Sequence, residues 1–418
     1  MNIFKVGVML IGISNVTNVL NYALMIYVSR SLSKEEFATV TSVTSLGIMF
    51  LSFAAVIPSI YVLVLNDMSV SSDDRKLNGS RLSNLVIVIS GAVLLGMLLF
   101  SDSLSAFLHL NSLWPVRLYA CCLCFSLLLQ VPIGYGQGYH KYKEVQLQGL
   151  VLSIGKLALV FLLFNSVGVE VNTVLIAEGI ATVLSIFFLG RIIRSNIVFD
   201  FNNVLSFTRL KRYASRSVPI GLNFMIVGIL ITGDIVLAKH FFDPIVAAEY
   251  SVASNLSKIA YFVSGALGGV MYALVTKTLN QGESGLKVLF SSSLMALVTG
   301  GLVVSLSYLF PEQIITLLFG HRYLASKDVF QVLSLSMTLL SVNSIFFSYF
   351  LAKRNYTYQK PLLILLAIVV GYVFLFYGKD LSSLKMSLLV RNLMVIILLV
   401  NLYLVFENKV KQIKNSIF

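Results

Sequence analysis

The stretch SVPIGLNFMIVGILITGDIVLAKHFF, Ser217–Phe242, decides the fold class. Its 26 residues carry two full charges, Asp234 and Lys239, both near the far end. About 20 consecutive, mostly apolar residues suffice to cross the ~30 Å of bilayer hydrocarbon as a helix. This run is long enough, and its apolar side chains point in every direction. A helix apolar all round belongs in lipid or in the middle of a very large core.

Eleven further runs of the same kind flank it. Six precede it, at 5–28, 37–65, 84–105, 114–139, 147–168 and 170–193, and five follow, at 245–275, 286–310, 328–352, 360–378 and 383–406. The loops between are short, except 66–83 and 194–216. Of 418 residues 57% are hydrophobic and only 12% charged, and the mean hydropathy is +0.89. Ordinary soluble domains carry about twice that charge. The sequence therefore predicts an all-α polytopic membrane protein of about twelve transmembrane helices. The first run follows Lys5 without a small-residue cleavage site, so it reads as a retained helix and not a signal peptide.

The net charge of +13 sits in the short loops, which excludes nucleic acid as its explanation and points to topology. With a cytoplasmic N-terminus, 20 Lys and Arg fall in inside segments and 8 in outside segments. Both termini are therefore expected inside, as in a multi-pass protein of a bacterial inner membrane. Cys121, Cys122 and Cys124 share one apolar run and read as membrane-buried thiols. No Walker loop, HExxH, GxSxG or Cys/His cluster is present. No catalytic residue, metal or cofactor is expected.

Half-chain offsets suggest an internal repeat. Ser33-Lys34-Glu35-Glu36-Phe37-Ala38 after the first run aligns with Asp243-Pro244-Ile245-Val246-Ala247-Ala248 after the seventh. Tyr139-His140-Lys141-Tyr142 after the fourth aligns with Lys353-Arg354-Asn355-Tyr356 after the tenth. The expected organisation is two pseudo-symmetric six-helix bundles, 1–193 and 217–418, joined by a cytoplasmic linker at 194–216. Parallel repeats of this kind suit alternating access, with substrate between the halves.

Two segments carry a family resemblance: Gly233-Asp234-Ile235-Val236-Leu237-Ala238-Lys239-His240-Phe241-Phe242, and Ala247-Ala248-Glu249-Tyr250-Ser251-Val252-Ala253. Gly138-Tyr139 with Lys141 adds to them. The pattern resembles the polysaccharide-transporter branch of the MATE-like, or MOP, exporter superfamily, and within it the Wzx O-antigen flippases. Glu249 departs from the small residue usual near its position. The resemblance implies export of an undecaprenyl-pyrophosphate-linked oligosaccharide, driven by a proton or sodium gradient. It also implies membrane lipids and other polysaccharide-assembly proteins as partners. Two rivals remain: a multidrug or cation antiporter of the same superfamily, and a membrane polysaccharide polymerase. The polymerase usually carries a long periplasmic loop, and no outside loop here is long.

Charges inside spans are costly and become candidates. Asp234 shares a helix face with Asn223, eleven residues earlier, and is a candidate ion-coupling carboxylate. Lys258 lies on a stripe with Ser251, Ser254 and Tyr261, where an ammonium could meet a pyrophosphate or snorkel. Lys156 and Glu178 could pair across neighbouring helices; otherwise Glu178 is a second ion-coupling candidate. Arg391, beside Asn392, could line the cavity or meet a lipid headgroup, and Arg216 marks the inner mouth of its helix. Asn18, with Ser14, Asn15 and Asn21, gives the first helix a polar face for sugar hydroxyls or for a neighbouring helix. Pro58 and Pro132 are expected to bend their helices; Gly134, Gly136 and Gly138 make the second bend either a gate or a static kink.

Overall fold

A computed structural model describes residues 3–194, 205–280, 285–376, 384, 386 and 388–403. The helices are α1 Ile3–Ser31, α2 Lys34–Ala54, α3 Val56–Leu65, α4 Ser72–Leu99, α5 Ser101–Phe107, α6 Trp114–Gly138, α7 Tyr142–Ser166, α8 Val171–Ile193, α9 Phe207–Phe241, α10 Pro244–Asn280, α11 Leu286–Leu309, α12 Pro311–Leu318, α13 Lys327–Ala352 and α14 Gln359–Phe376. A last described helix, α15, covers Leu388–Tyr403. No strand occurs among the described residues. Every one of the twelve apolar runs contains a helix. Among the described residues, eight helices are long and apolar enough to cross a membrane, counting α2 with α3 as one and His321–Ala352 as another. Their exposed positions carry Leu99, Phe187 and Leu302, as lipid-facing surfaces do. The chain is a multi-pass membrane protein.

Two bends were in question. The chain breaks between α2 and α3 at Ala55. Pro58 has no N–H to offer the carbonyl of Ala54 four residues back, so the break sits where the proline requires it. Pro132, by contrast, lies inside an unbroken α6. The glycines after it are packing contacts: a Cβ on Gly134 would fall 2.4 Å from Tyr61, and one on Gly138 2.5 Å from Leu65. They let α6 press on α3, which supports the static reading.

Each of the two long loops contains the start of a helix. α4 begins at Ser72, capped by the Ser71 hydroxyl, which accepts from the Asp74 N–H at 3.2 Å. α9 begins at Phe207, ten residues before its apolar run. Averaged hydropathy hides this extension because one face carries Arg209, Lys211, Arg212 and Arg216. The other face carries Leu210, Tyr213, Ala214 and Val218, at helical spacing, packed with Leu65, Leu82, Leu189 and Ile193. Of the expected linker, residues 195–204 lie outside the described residues.

The internal repeat is visible in local geometry. Ser33 precedes α2 and Asp243 precedes α10; their carbonyls accept from Phe37 and Ala247, at 3.0 and 2.9 Å. A short helix follows the third span of each half, opening at Ser101 and at Pro311. The ends of α6 and α13 match residue for residue: Lys141 N–H donates to Gly136 O, and Asn355 N–H to Phe350 O. His140 and Arg354 both take positive φ, 59° and 51°. Tyr135 and Tyr349, both fully buried, sit beneath residue 139 in one half and residue 353 in the other.

By packing, the chain forms two compact units, Met1–His240 and Phe241–Phe418. The boundary falls later than the expected 216, because α9 packs within the first unit. A Cβ on Gly228 would lie 2.2 Å from Ser52 Oγ, and Thr232 Oγ1 donates to Ser45 O at 3.4 Å.

Candidate functional site

Polar residues of α1 serve first as contacts to α7. Ser14 Oγ donates to Gln146 Oε1 at 3.0 Å, and Ser153 Oγ to Asn21 Oδ1 at 3.1 Å. Asn18 lies between these contacts, half-buried. Each such bond adds about 0.6–2 kcal/mol to helix association in lipid. Across α7 and α8, Lys156 Nζ meets Glu178 Oε1 at 2.5 Å, with both side chains about four-fifths buried. Gln148 Nε2 donates to Ser185 Oγ on the same pair of helices. Of the two readings of Glu178, the pair with Lys156 is what the fold contains, and each charge neutralises the other.

In α9 both Asn223 and Asp234 are buried, on one face. Lys239 is buried as well, at 3% exposure, near enough to Glu35 to feel its charge. In the sequence Lys239 is a charge at the far end of its apolar run, where a solvated position outside the membrane is expected. What betrays it afterwards is its neighbour: His240 is pinned by Nδ1 to the carbonyl of Phe107 at 2.7 Å, so the last turn of α9 is tucked under α5. Arg216 is exposed on the charged face of the α9 extension and does not reach the interior.

The second unit gathers the remaining candidates. Ser251, Ser254 and Lys258 are buried on α10, and Tyr261 is half-buried on the same stripe. Ser257 Oγ donates to Phe330 O, which ties α10 to α13. On the other side, α13 is stitched to α15: Asn392 Nδ2 donates to Ser336 O and Oγ at 2.9 and 2.7 Å, and Asn343 Nδ2 to Asn392 O at 3.2 Å. Arg391 is 5% exposed, inside this unit and not at its lipid-facing surface. Among the described residues of the second unit, the buried formal charges are Lys258 and Arg391, both cations. The helices that carry them, and α13, also bury hydroxyls and carboxamides, the groups that suit sugar and phosphate oxygens. No group of three metal-ligating side chains occurs among the described residues.

Residues 4–278 match the family described as polysaccharide biosynthesis protein. The chain belongs to that family. No curated protein sequence matches it. Among solved structures, it is similar to an inward-facing multidrug resistance MATE transporter of the MOP superfamily, with TM-score 0.80 and 15% identity over 96% of each chain. It is also similar to the lipid II flippase MurJ in an inward closed conformation, with TM-score 0.72 and 12% identity, covering 93% of this chain and 86% of that one. A MOP superfamily transporter from Pyrococcus furiosus, described as having a binding pocket of reverse polarity, gives TM-score 0.64 and 15% identity, covering 94% and 92%. This member of the polysaccharide biosynthesis family therefore has the fold of MOP-superfamily transporters.

Proposed function

We propose that this protein carries an undecaprenyl-pyrophosphate-linked oligosaccharide, such as an O-antigen repeat unit, across the bacterial inner membrane by alternating access. The observation that carries the reading is the pair of buried cations, Lys258 and Arg391, among hydroxyl and carboxamide side chains in the second unit. A cationic interior attracts a pyrophosphate and repels the cationic compounds that a drug antiporter would take. Family membership points the same way, and so does the likeness in fold to a flippase of lipid II. Buried Asp234, with Asn223 on its face, is the group assigned to proton or sodium coupling; both termini face the cytoplasm.

Competition tests the substrate class. In detergent or nanodiscs, an undecaprenyl-pyrophosphate-linked oligosaccharide should bind, and a lipophilic drug cation should not displace it. Binding of the drug cation, with no binding of the glycolipid, would assign the protein to the multidrug branch instead.

A further inference from the structure

The two segments that hydropathy reads as loops, at 66–83 and before residue 217, meet in the first unit. Asp67 Oδ2 accepts from Tyr213 Oη at 2.7 Å. Asp67 Oδ1 is held by Ser69, through its N–H at 3.0 Å and its hydroxyl at 2.6 Å. One turn before Tyr213, Arg209 Nη1 donates to Asn78 Oδ1 at 2.7 Å. Leu205 N–H adds a longer bond to Arg81 O, at 3.3 Å. The contact thus ties the start of α9 to the turn after α3 and to the first turns of α4.

Its construction is two-sided. The holding bonds involve a carboxylate and a guanidinium, the stronger kind. Yet Asn78 is 1% exposed and its Nδ2 has no partner among the described residues. The amide cannot simply be turned over, because that would aim Nδ2 at the guanidinium of Arg209, which is itself only a donor. A buried donor left unmade is costly, and water would satisfy it once the segments part. Closed, the contact gains two polar bonds; open, it relieves Asn78. Small opposing contributions of this kind give two arrangements close in free energy.

We propose that Asp67–Tyr213 and Asn78–Arg209 form a releasable latch on the cytoplasmic end of α9, and that its release is a step in opening the carrier. The inference rests on the alternating-access reading for its purpose, but not for its test. Ala55 breaks the helix leading to the latch on one side, and just beyond it on the other Pro219, inside the continuous α9, leaves one intrahelical hydrogen bond unmade. Each partner therefore has a place to bend next to the contact.

Spin labels measure the latch directly. Met68 and Phe207, 84% and 77% exposed, flank it, and both become cysteine in the full chain with Cys121, Cys122 and Cys124 changed to alanine. Distances are recorded in nanodiscs without substrate. The parent should give one dominant short distance. Tyr213→Phe keeps the ring and removes the bond; Asp67→Asn keeps the shape and removes the charge. Each should raise the ratio of long to short distances roughly three- to tenfold. The two together should do no more than the larger single change, because both remove one bond. Arg209→Gln should shift the ratio in the same direction. Distributions that superimpose on the parent in all variants would overturn the latch, and so would full multiplicativity of Tyr213→Phe and Asp67→Asn. If the parent moves no glycolipid while these shifts occur, the carrier reading fails and the latch stands.

Discussion

Glu178→Gln isolates a charge that the fold holds by one partner. Lys156 Nζ and Glu178 Oε1 are 2.5 Å apart, with side chains 21% and 18% exposed. Breaking a fully buried pair costs about 3–5 kcal/mol, mostly from the abandoned charge, whereas exposed pairs are worth about 0.2–1 kcal/mol. Four-fifths burial places this pair between, at roughly 2–3 kcal/mol. Glu178→Gln should therefore lower the midpoint of thermal unfolding in detergent by several degrees, and Lys156→Met should do the same. The double variant leaves no orphan charge and should recover most of the loss, giving a coupling of about 2 kcal/mol between the positions. It should also keep its response to an imposed ion gradient, since the pair is structural. Single variants as stable as the parent would refute the pairing argument. A double variant that is stable but blind to the gradient would return Glu178 to the coupling mechanism.

Lys258→Ala should reduce glycan export several-fold at equal abundance, and Lys258→Arg should retain most of it; export at the parent level in the alanine variant removes Lys258 from the substrate path. Asp234→Asn keeps shape and loses titration, so it should bind glycolipid yet fail to respond to a pH or sodium gradient in proteoliposomes. Thr208→Cys, exposed on the α9 extension, should resist a membrane-impermeant thiol reagent in intact cells and react in inverted vesicles; labelling from outside would reverse the topology. The Ser69 and Tyr213 hydroxyls hold the Asp67 carboxyl at about 2, below its ordinary 3.8. A depressed carboxylate contributes above its ordinary value and loses that contribution as pH falls through its folded one. The label distances across the latch should therefore agree at pH 8 and pH 5, and lengthening by pH 5 would contradict this charge state.

Much of the fold was legible because membrane spans are written in single-residue terms. Twelve apolar runs each became helix, and Pro58 placed the break at Ala55. The offsets of 210 and 214 residues matched real turns, down to the positive φ of His140 and Arg354. What escaped was amphipathic. The extension of α9 alternates Arg209, Lys211 and Arg212 with Leu210 and Tyr213, so its average looks like a loop while one face is core. Asp67 and Asn78 were unreadable as partners of Tyr213 and Arg209, more than 130 residues away. The Lys156–Glu178 pair was legible as one of two readings, because both sit on adjacent helices in mid-span. Lys239 was missed because its burial depends on α5 closing over the end of α9, a contact set by His240 and Phe107.

Translocation itself tests the central claim. The purified protein is reconstituted in vesicles with an undecaprenyl-pyrophosphate-linked oligosaccharide in both leaflets, and glycan is exposed to a sugar-cleaving enzyme added outside. Without the protein, cleavage should stop at the outer half. With it, and with a proton or sodium gradient imposed, cleavage should run well past half, and Lys258→Ala should slow that second phase. Cleavage that halts at half in the presence of folded protein and either gradient would contradict the account.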